Sequence, residues 1–248
     1  MVNGVLVEVC CGSVDDCITA MKGGADRIEL NHALELDGMT PSTATLKRAK
    51  ELVNLPICCM VRPRGYGFCY SEELFQVMKM EAKELLDAGA DGIVFGFLHE
   101  DGTIDVERTK EMVEWIHPKE AIFHKAFDYT EDLFISMQTL VDCKVDRVLT
   151  SAKGMTPNLE VLKQLNEQFG DQIEILPGGG VRANNVVDVV EQTGLYQVHT
   201  SAKHTVVDPS TQRFSEQKDE KYHSYVAVDA EKLQEMMNAL QKVGGNDL

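Results

Sequence analysis

Gly24-Ala25-Asp26-Arg27-Ile28-Glu29-Leu30 returns further along the chain as Gly89-Ala90-Asp91-Gly92-Ile93-Val94-Phe95. A worn copy follows at Val145-Asp146-Arg147-Val148-Leu149-Thr150, and a looser one at Gly194-Leu195-Tyr196-Gln197-Val198-His199-Thr200. An amphipathic stretch precedes each copy, a small residue ends that stretch, and a β-rich run begins. Glycine suits a helix end because it tolerates the left-handed conformation there. Other apolar runs lie between the copies: Val5 to Cys10, Pro56 to Arg62, Ala121 to Ala126 and Ile173 to Pro177. The two sets interleave, which predicts about eight strands alternating with helices. That is the count of a closed parallel TIM-type (β/α)8 barrel, an α/β fold.

The expected strands are 5–10, 26–31, 56–62, 91–97, 120–126, 146–151, 172–177 and 196–201. Helices are expected between them over 14–23, 42–53, 71–88, 105–116, 131–142, 158–169 and 182–192. Ser71 before Glu72-Glu73 and Asp105 before Glu107 carry helix-start signatures. The barrel is thus expected over residues 1–203. Residues 204–248 read as a C-terminal extension packed on the same single domain. It is expected to be irregular over 204–228 and helical from about 230 to 243, with a fraying end at Gly244-Gly245-Asn246.

The length of 248 residues suits one such barrel. Forty acidic residues against 24 basic ones give a formal charge of −16. That balance argues against nucleic-acid and anionic-membrane partners, which need clustered cations. No run approaches 18 apolar residues, and Met1-Val2-Asn3-Gly4 leads directly into a strand, so neither a transmembrane helix nor a signal peptide is expected. Seven cysteines, odd in number and without paired spacing, read as reduced thiols and place the protein in the cytoplasm.

In such barrels the site lies at the C-terminal ends of the strands. Strand side chains alternate, and the apolar parity (Ile28, Leu30, Ile93, Phe95, Val148, Val198) is expected to face the helices. The other parity then points to the axis. Glu8, Glu29, Arg62, His124 and His199 are expected to converge near one mouth. They are either an ion-pair network that shapes the core or a catalytic or binding constellation, with Glu8, Glu29, His124 and His199 as the candidate proton carriers.

Pro177-Gly178-Gly179-Gly180-Val181-Arg182 follows the seventh strand, and Ser201-Ala202-Lys203 follows the eighth. Barrels often hold a phosphate in these loops, where glycines let backbone N–H groups approach an anion. The alternative is a tight turn that only needs glycine's freedom. Arg62 and Arg64 flank Pro63 and suit either a carboxylate or phosphate fork or a salt bridge to Glu29 or Glu8. Lys125 has the outward parity, which argues against a Schiff-base role. Cys10 and Met60 offer soft sulfur to Cu(I), or simply pack. No closed zinc-site spacing occurs.

Several of these stretches together carry a family. They are Glu8-Val9-Cys10, Gly23 to Leu30, Thr40-Pro41-Ser42, Arg62-Pro63-Arg64-Gly65, Phe68-Cys69-Tyr70-Ser71, Asp101 to Asp105, Phe123-His124, Ala126-Phe127-Asp128, Leu149-Thr150-Ser151 and Pro177 to Arg182. In order over about residues 5 to 203, they resemble the CutC copper-homeostasis family. The resemblance implies a TIM-type barrel, a cytoplasmic location, a homo-oligomer and a role in copper handling, with Cys10 as a Cu(I) ligand. The chain departs from the pattern at Asn31, where the family commonly has a second cysteine proposed for copper. Lys125 stands where arginine is usual, and Tyr66-Gly67 replaces Gly-Asp.

Two main functional expectations follow. One is a copper-homeostasis protein that binds Cu(I) through Cys10. The other is an enzyme using acid–base chemistry on a small phosphorylated or carboxylated metabolite. In it Arg62, Arg64, Gly178, Gly179, Gly180 and Ser201 hold the anion. A weaker third is a scaffold whose partner docks on 204–228.

Overall fold

A computed structural model describes residues 1–213, 216, 219 and 222–244. Its eight inner strands are β1 Leu6–Cys11, β2 Arg27–Leu30, β3 Ile57–Met60, β4 Gly92–Phe95, β5 Glu120–Phe123, β6 Arg147–Thr150, β7 Glu174–Pro177 and β8 Gln197–Thr200. They lie in the order β7-β6-β5-β4-β3-β2-β1-β8, and every ladder is parallel. The seam between β7 and β8 is bridged by side chains. The Gln197 amide donates to the Ile175 carbonyl at 3.2 Å, and the Thr200 hydroxyl to that of Val181 at 3.0 Å. The result is the nearly closed barrel the repeated phrase predicts.

Seven helices cross between strands: α1 Val14–Lys22, α2 Thr43–Leu52, α3 Glu72–Asp87, α4 Val106–Ile116, α5 Leu133–Asp142, α6 Leu159–Phe169 and α7 Val186–Thr193. Ser71 and Asp105 cap α3 and α4 as their spacing predicts, accepting from Leu74 N at 3.3 Å and Arg108 N at 3.0 Å. The core sits between strands and helices. Val7, Val9, Ile28, Leu30, Ile93, Phe95 and Val198 are all fully buried there. Burying each of these side chains contributes about 1.5–3 kcal/mol. The opposite parity fills the barrel with charged side chains beside a small apolar cluster of Cys58, Met60, Val94 and Ile122. Arg147 is buried, held by Glu120 at 3.0 Å and Glu174 at 2.8 Å.

The extension departs from expectation over 204–228. Lys203–Val207 (β9) and Ser224–Val228 (β10) pair antiparallel, and Pro209–Gln212 forms a short helix, α8. Val206, Val207, Tyr225, Val226 and Val228 are strand formers, but the two strands are short and the polar stretch 208–223 separates them, so the interval reads as loop. Residues 214, 215, 217, 218, 220, 221 and 245–248, with most of the expected fraying end, lie outside the described residues. α9 Ala230–Leu240 buries Leu233, Met236, Met237 and Leu240. Its approach explains Gly23. A Cβ there would sit 2.4 Å from Leu233 Cδ2. Asp16 ties the end of β10 to α1 by accepting from Val228 N at 2.8 Å. Among the described residues no helix is long and apolar enough to cross a membrane.

Candidate functional site

The β1–β2 and β1–β8 registers bring polar side chains of one parity side by side. Glu8 lies opposite both Arg27 and His199, and Cys10 opposite Glu29. One Glu8 oxygen takes the Arg27 Nε–H, and the other faces His199 Nδ1 at 2.8 Å. Burial by itself would raise the Glu8 carboxyl, but the His199 bond and the Arg27 charge hold it well below the usual range. Burial likewise opposes charge on His199, yet the Glu29 charge and the Glu8 bond raise it above an ordinary histidine. Its Nε2 is 4.0 Å from a Glu29 oxygen. The Asn31 amide donates to that carboxylate at 2.8 Å and to Cys10 Sγ at 3.4 Å. Cys10, Glu29 and His199 thus bring one ligand atom each to within 4.8 Å of one another. Burial, reinforced by the Glu29 charge, pushes the Cys10 thiol well above its ordinary value.

The facing wall, from β3 and β5, is built differently. Arg62 donates to the Asp37 and Gly38 carbonyls at 2.9 and 3.2 Å, and its guanidinium lies 5.1 Å from the centre of the Phe68 ring. His124 Nδ1 accepts from Ala126 N at 3.2 Å, and its ring packs 4.9 Å from Phe68. Arg62 Nε and His124 Nε2 are buried without partners among the described residues. Burial, then the Arg62 charge, lowers His124 to about 3, so the ring is neutral at physiological pH. No carboxylate bonds His124 among the described residues; its own turn and Phe68 hold the ring.

A cavity of about 830 Å³ lies between these walls. Cys10, Glu29, Arg62, His124 and His199 line it, together with Gly179, Gly180 and Ser201. Three sequence candidates do not reach it. Glu8 stands behind His199. Gly178 continues the sheet, donating to the Thr150 carbonyl at 2.9 Å. Arg64 turns back on its own loop, donating to the Tyr66 carbonyl and to that of Cys69 at 2.7 Å, with Tyr70 4.9 Å below. Its place in an anion fork is therefore corrected, because nearby carbonyls satisfy the guanidinium first.

Lys125 corrects the parity argument. β5 ends at Phe123 and the chain enters a 3-10 turn, Lys125–Tyr129, so strand alternation lapses. Lys125 lines the cavity and pairs with Asp37. Burial lowers its pKa. Asp128, also missed, accepts from Thr150 Oγ1, from Ser151 N and Oγ at 3.0 Å, and from Lys153 N at 3.2 Å. Lys232, Glu235 and Met236 of α9 complete the wall. No motif marks them. Only the docking of α9 beside the mouth brings them there.

The fold is that of a TIM-type parallel β/α barrel, with the Cys10, Glu29 and His199 side chains gathered at the C-terminal ends of its strands. The CutC family model matches residues 5–204, and the chain belongs to the CutC family. A CutC family protein of Treponema denticola is 39% identical over 84% of this chain and 86% of its own length. The human copper homeostasis protein cutC homolog is 40% identical over 82% of this chain and 75% of its own. The solved CutC protein from Streptococcus agalactiae superposes with a TM-score of 0.74 at 28% identity, covering 79% of this chain and 97% of that one. Phosphoribosylanthranilate isomerase from Thermotoga maritima shares the fold alone, with a TM-score of 0.58 at 12% identity over 96% of this chain and 98% of that one. The family match ends at residue 204, so α9 and its cavity residues lie beyond it.

Proposed function

We propose that this protein binds Cu(I) as cargo at the barrel mouth, through Cys10 Sγ and His199 Nε2, with Glu29 as the third donor. The observation that carries the reading is the convergence of these three side chains within 4.8 Å. Thiolate and imidazole suit Cu(I). Glu8 engages His199 Nδ1 and so leaves Nε2 as the ligand atom, the arrangement that commonly orients a metal-binding histidine. The names of the human and mouse relatives point the same way. Asn31 replaces a thiol but still serves, since its amide orients both Cys10 and Glu29. Metal binding has to displace the Cys10 proton, so affinity rises with pH. Seven free thiols fit a reducing compartment, in keeping with a cytoplasmic location.

A competition titration of the reduced protein against a Cu(I) chelator tests this. One equivalent is expected to bind tightly, and Cys10→Ser and His199→Gln each to weaken it by roughly 100-fold or more. Tight binding indifferent to both substitutions overturns the site.

The size of the cavity favours a second reading. At about 830 Å³ it lies in the range of small-molecule sites and far exceeds what an ion needs. In this reading His199, raised towards its charged form, gives a proton to a small anionic metabolite, and Glu29 takes one.

A further inference from the structure

We propose that the ends of β7 and β8 form a phosphate-monoester subsite, with Gly179, Gly180 and Val181 presenting backbone N–H groups and Arg182 and Lys203 supplying charge. The proposal goes beyond the Cu(I) reading. It gives the second reading, on which it rests for a metabolite as ligand, its substrate class.

Gly179 and Gly180 adopt φ of 66° and 95°, open to glycine at no steric cost. A Cβ on Gly179 would sit 2.8 Å from Ser151 Cβ, and one on Gly180 2.8 Å from the Met155 carbonyl oxygen. The loop is thus pressed flat against the loop after β6. The N–H groups of Gly179, Gly180, Val181 and Ser201 meet no acceptor among the described residues. Gly179 is exposed and Gly180 and Ser201 are half-buried, so these donors, three in succession after β7 and one after β8, open onto the cavity and are available to an acceptor there. The N-terminus of α7 is not that run. Residues 182–185 form an intervening turn, and Asn185 Oδ1 already takes Arg182 N at 2.8 Å.

Charge points the same way. On a chain with a net charge of −16, six basic side chains line this cavity against four acidic ones. Two of the acids are already engaged. Asp37 pairs with Lys125, and Asp128 is held by the hydroxyls and N–H groups of the β6 loop. Arg182 and Lys203 have no side-chain partner among the described residues, so their charge is free for an oxyanion. The Ser201 hydroxyl beside them has no hydrogen-bond partner among the described residues.

The opposite wall gives an independent sign of a ligand. Arg62 and His124 are each 2% exposed, line the same cavity, and carry a polar nitrogen without a partner. Buried polar groups are normally hydrogen-bonded, and unmatched ones are costly. A phosphate anchored at β7 and β8 with a short hydroxylated body would reach across the cavity towards these donors. The ligand class is therefore a phosphorylated polyol or sugar.

Calorimetric titration of the full, metal-free chain with glycerol 3-phosphate tests the subsite, with glycerol as the phosphate-free control. Saturable binding of one equivalent is expected for the phosphate ester and none for glycerol, with inorganic phosphate competing. The Arg182→Ala/Lys203→Ala double variant is expected to lose about tenfold or more in affinity. Both side chains are exposed, so the variant keeps its fold, which its unfolding midpoint checks. Lys22→Ala removes a charge at the far end of α1 and is expected to change affinity less than about twofold. Absence of saturable binding, unchanged affinity in the double variant, or an equal loss in Lys22→Ala overturns the proposal. Binding requires no turnover, so a protein that binds the ester but converts no phosphorylated metabolite sinks only the acid–base reading.

Discussion

The β1–β2–β8 wall and the β3–β5 wall share one cavity and treat charge in opposite ways. On the first, Glu8 serves Arg27 and His199 together, and His199 is driven towards its protonated form. On the second, the His124 ring packs against Phe68 and is held neutral by burial and the nearby Arg62 charge. Both rings are deeply buried, at 8% and 2% exposure, so depth does not separate them. Their neighbours do. A carboxylate within hydrogen-bond reach outweighs desolvation, and an arginine nearby adds to it. The mouth is thus polarised: one wall carries a histidine driven towards its charged form, and the other a neutral histidine and polar nitrogens without partners among the described residues.

The strongest way to break this contrast is Glu8→Ala. It leaves Arg27 and His199 buried without their shared carboxylate, and is expected to cost about 3–5 kcal/mol in urea denaturation. A loss under about 1 kcal/mol would mean that the first wall is no more committed to charge than the second.

A smaller effect is expected on the second wall. Gly96→Ala would place a Cβ 2.4 Å from His124 Cε1 and is expected to cost about 1–3 kcal/mol by overpacking. Combining it with His124→Ala relieves the clash, so a double-mutant cycle in denaturation should give a favourable coupling. Additive effects would show that His124 is not held where described.

The finest test is pH. His199 is raised above the ordinary histidine value of about 6.5, so its stabilisation is full below that pH and fades as pH rises through the folded value. His124 is lowered to about 3, so the unfolded chain takes its proton first and stability falls as pH drops from 6.5 towards 3. Histidine ring resonances followed by NMR should show His199 still charged where His124 is neutral. Parallel titration of the two rings would erase the comparison.

Much of the fold was legible because alternation and capping are local. Ile28 and Leu30 against Arg27 and Glu29 announce which parity faces the helices. Ser71 and Asp105 announce helix starts. Lys125 breaks the expected parity because the chain leaves the strand at Phe123 and enters a 3-10 turn. Arg64 was misread because nothing in its motif says that the Tyr66 and Cys69 carbonyls come within its reach. Lys203 was visible beside Ser201, whereas Lys232 and Glu235 lie on an ordinary amphipathic helix without a motif.

By itself the sequence determined the barrel, the inward parity of Glu8, Cys10, Glu29, His124 and His199, and membership in a family. These follow from periods of two and 3.6 residues and from contiguous motifs. Only the tertiary structure decided which inward groups touch. The β1–β2 and β1–β8 registers set Cys10 beside Glu29 and Glu8 beside His199, although His199 is 191 positions from Glu8. The same holds for the unmatched loop donors, the lone His124 and the wall contributed by α9. Register, loop closure and helix docking are non-local, and no window of sequence contains them.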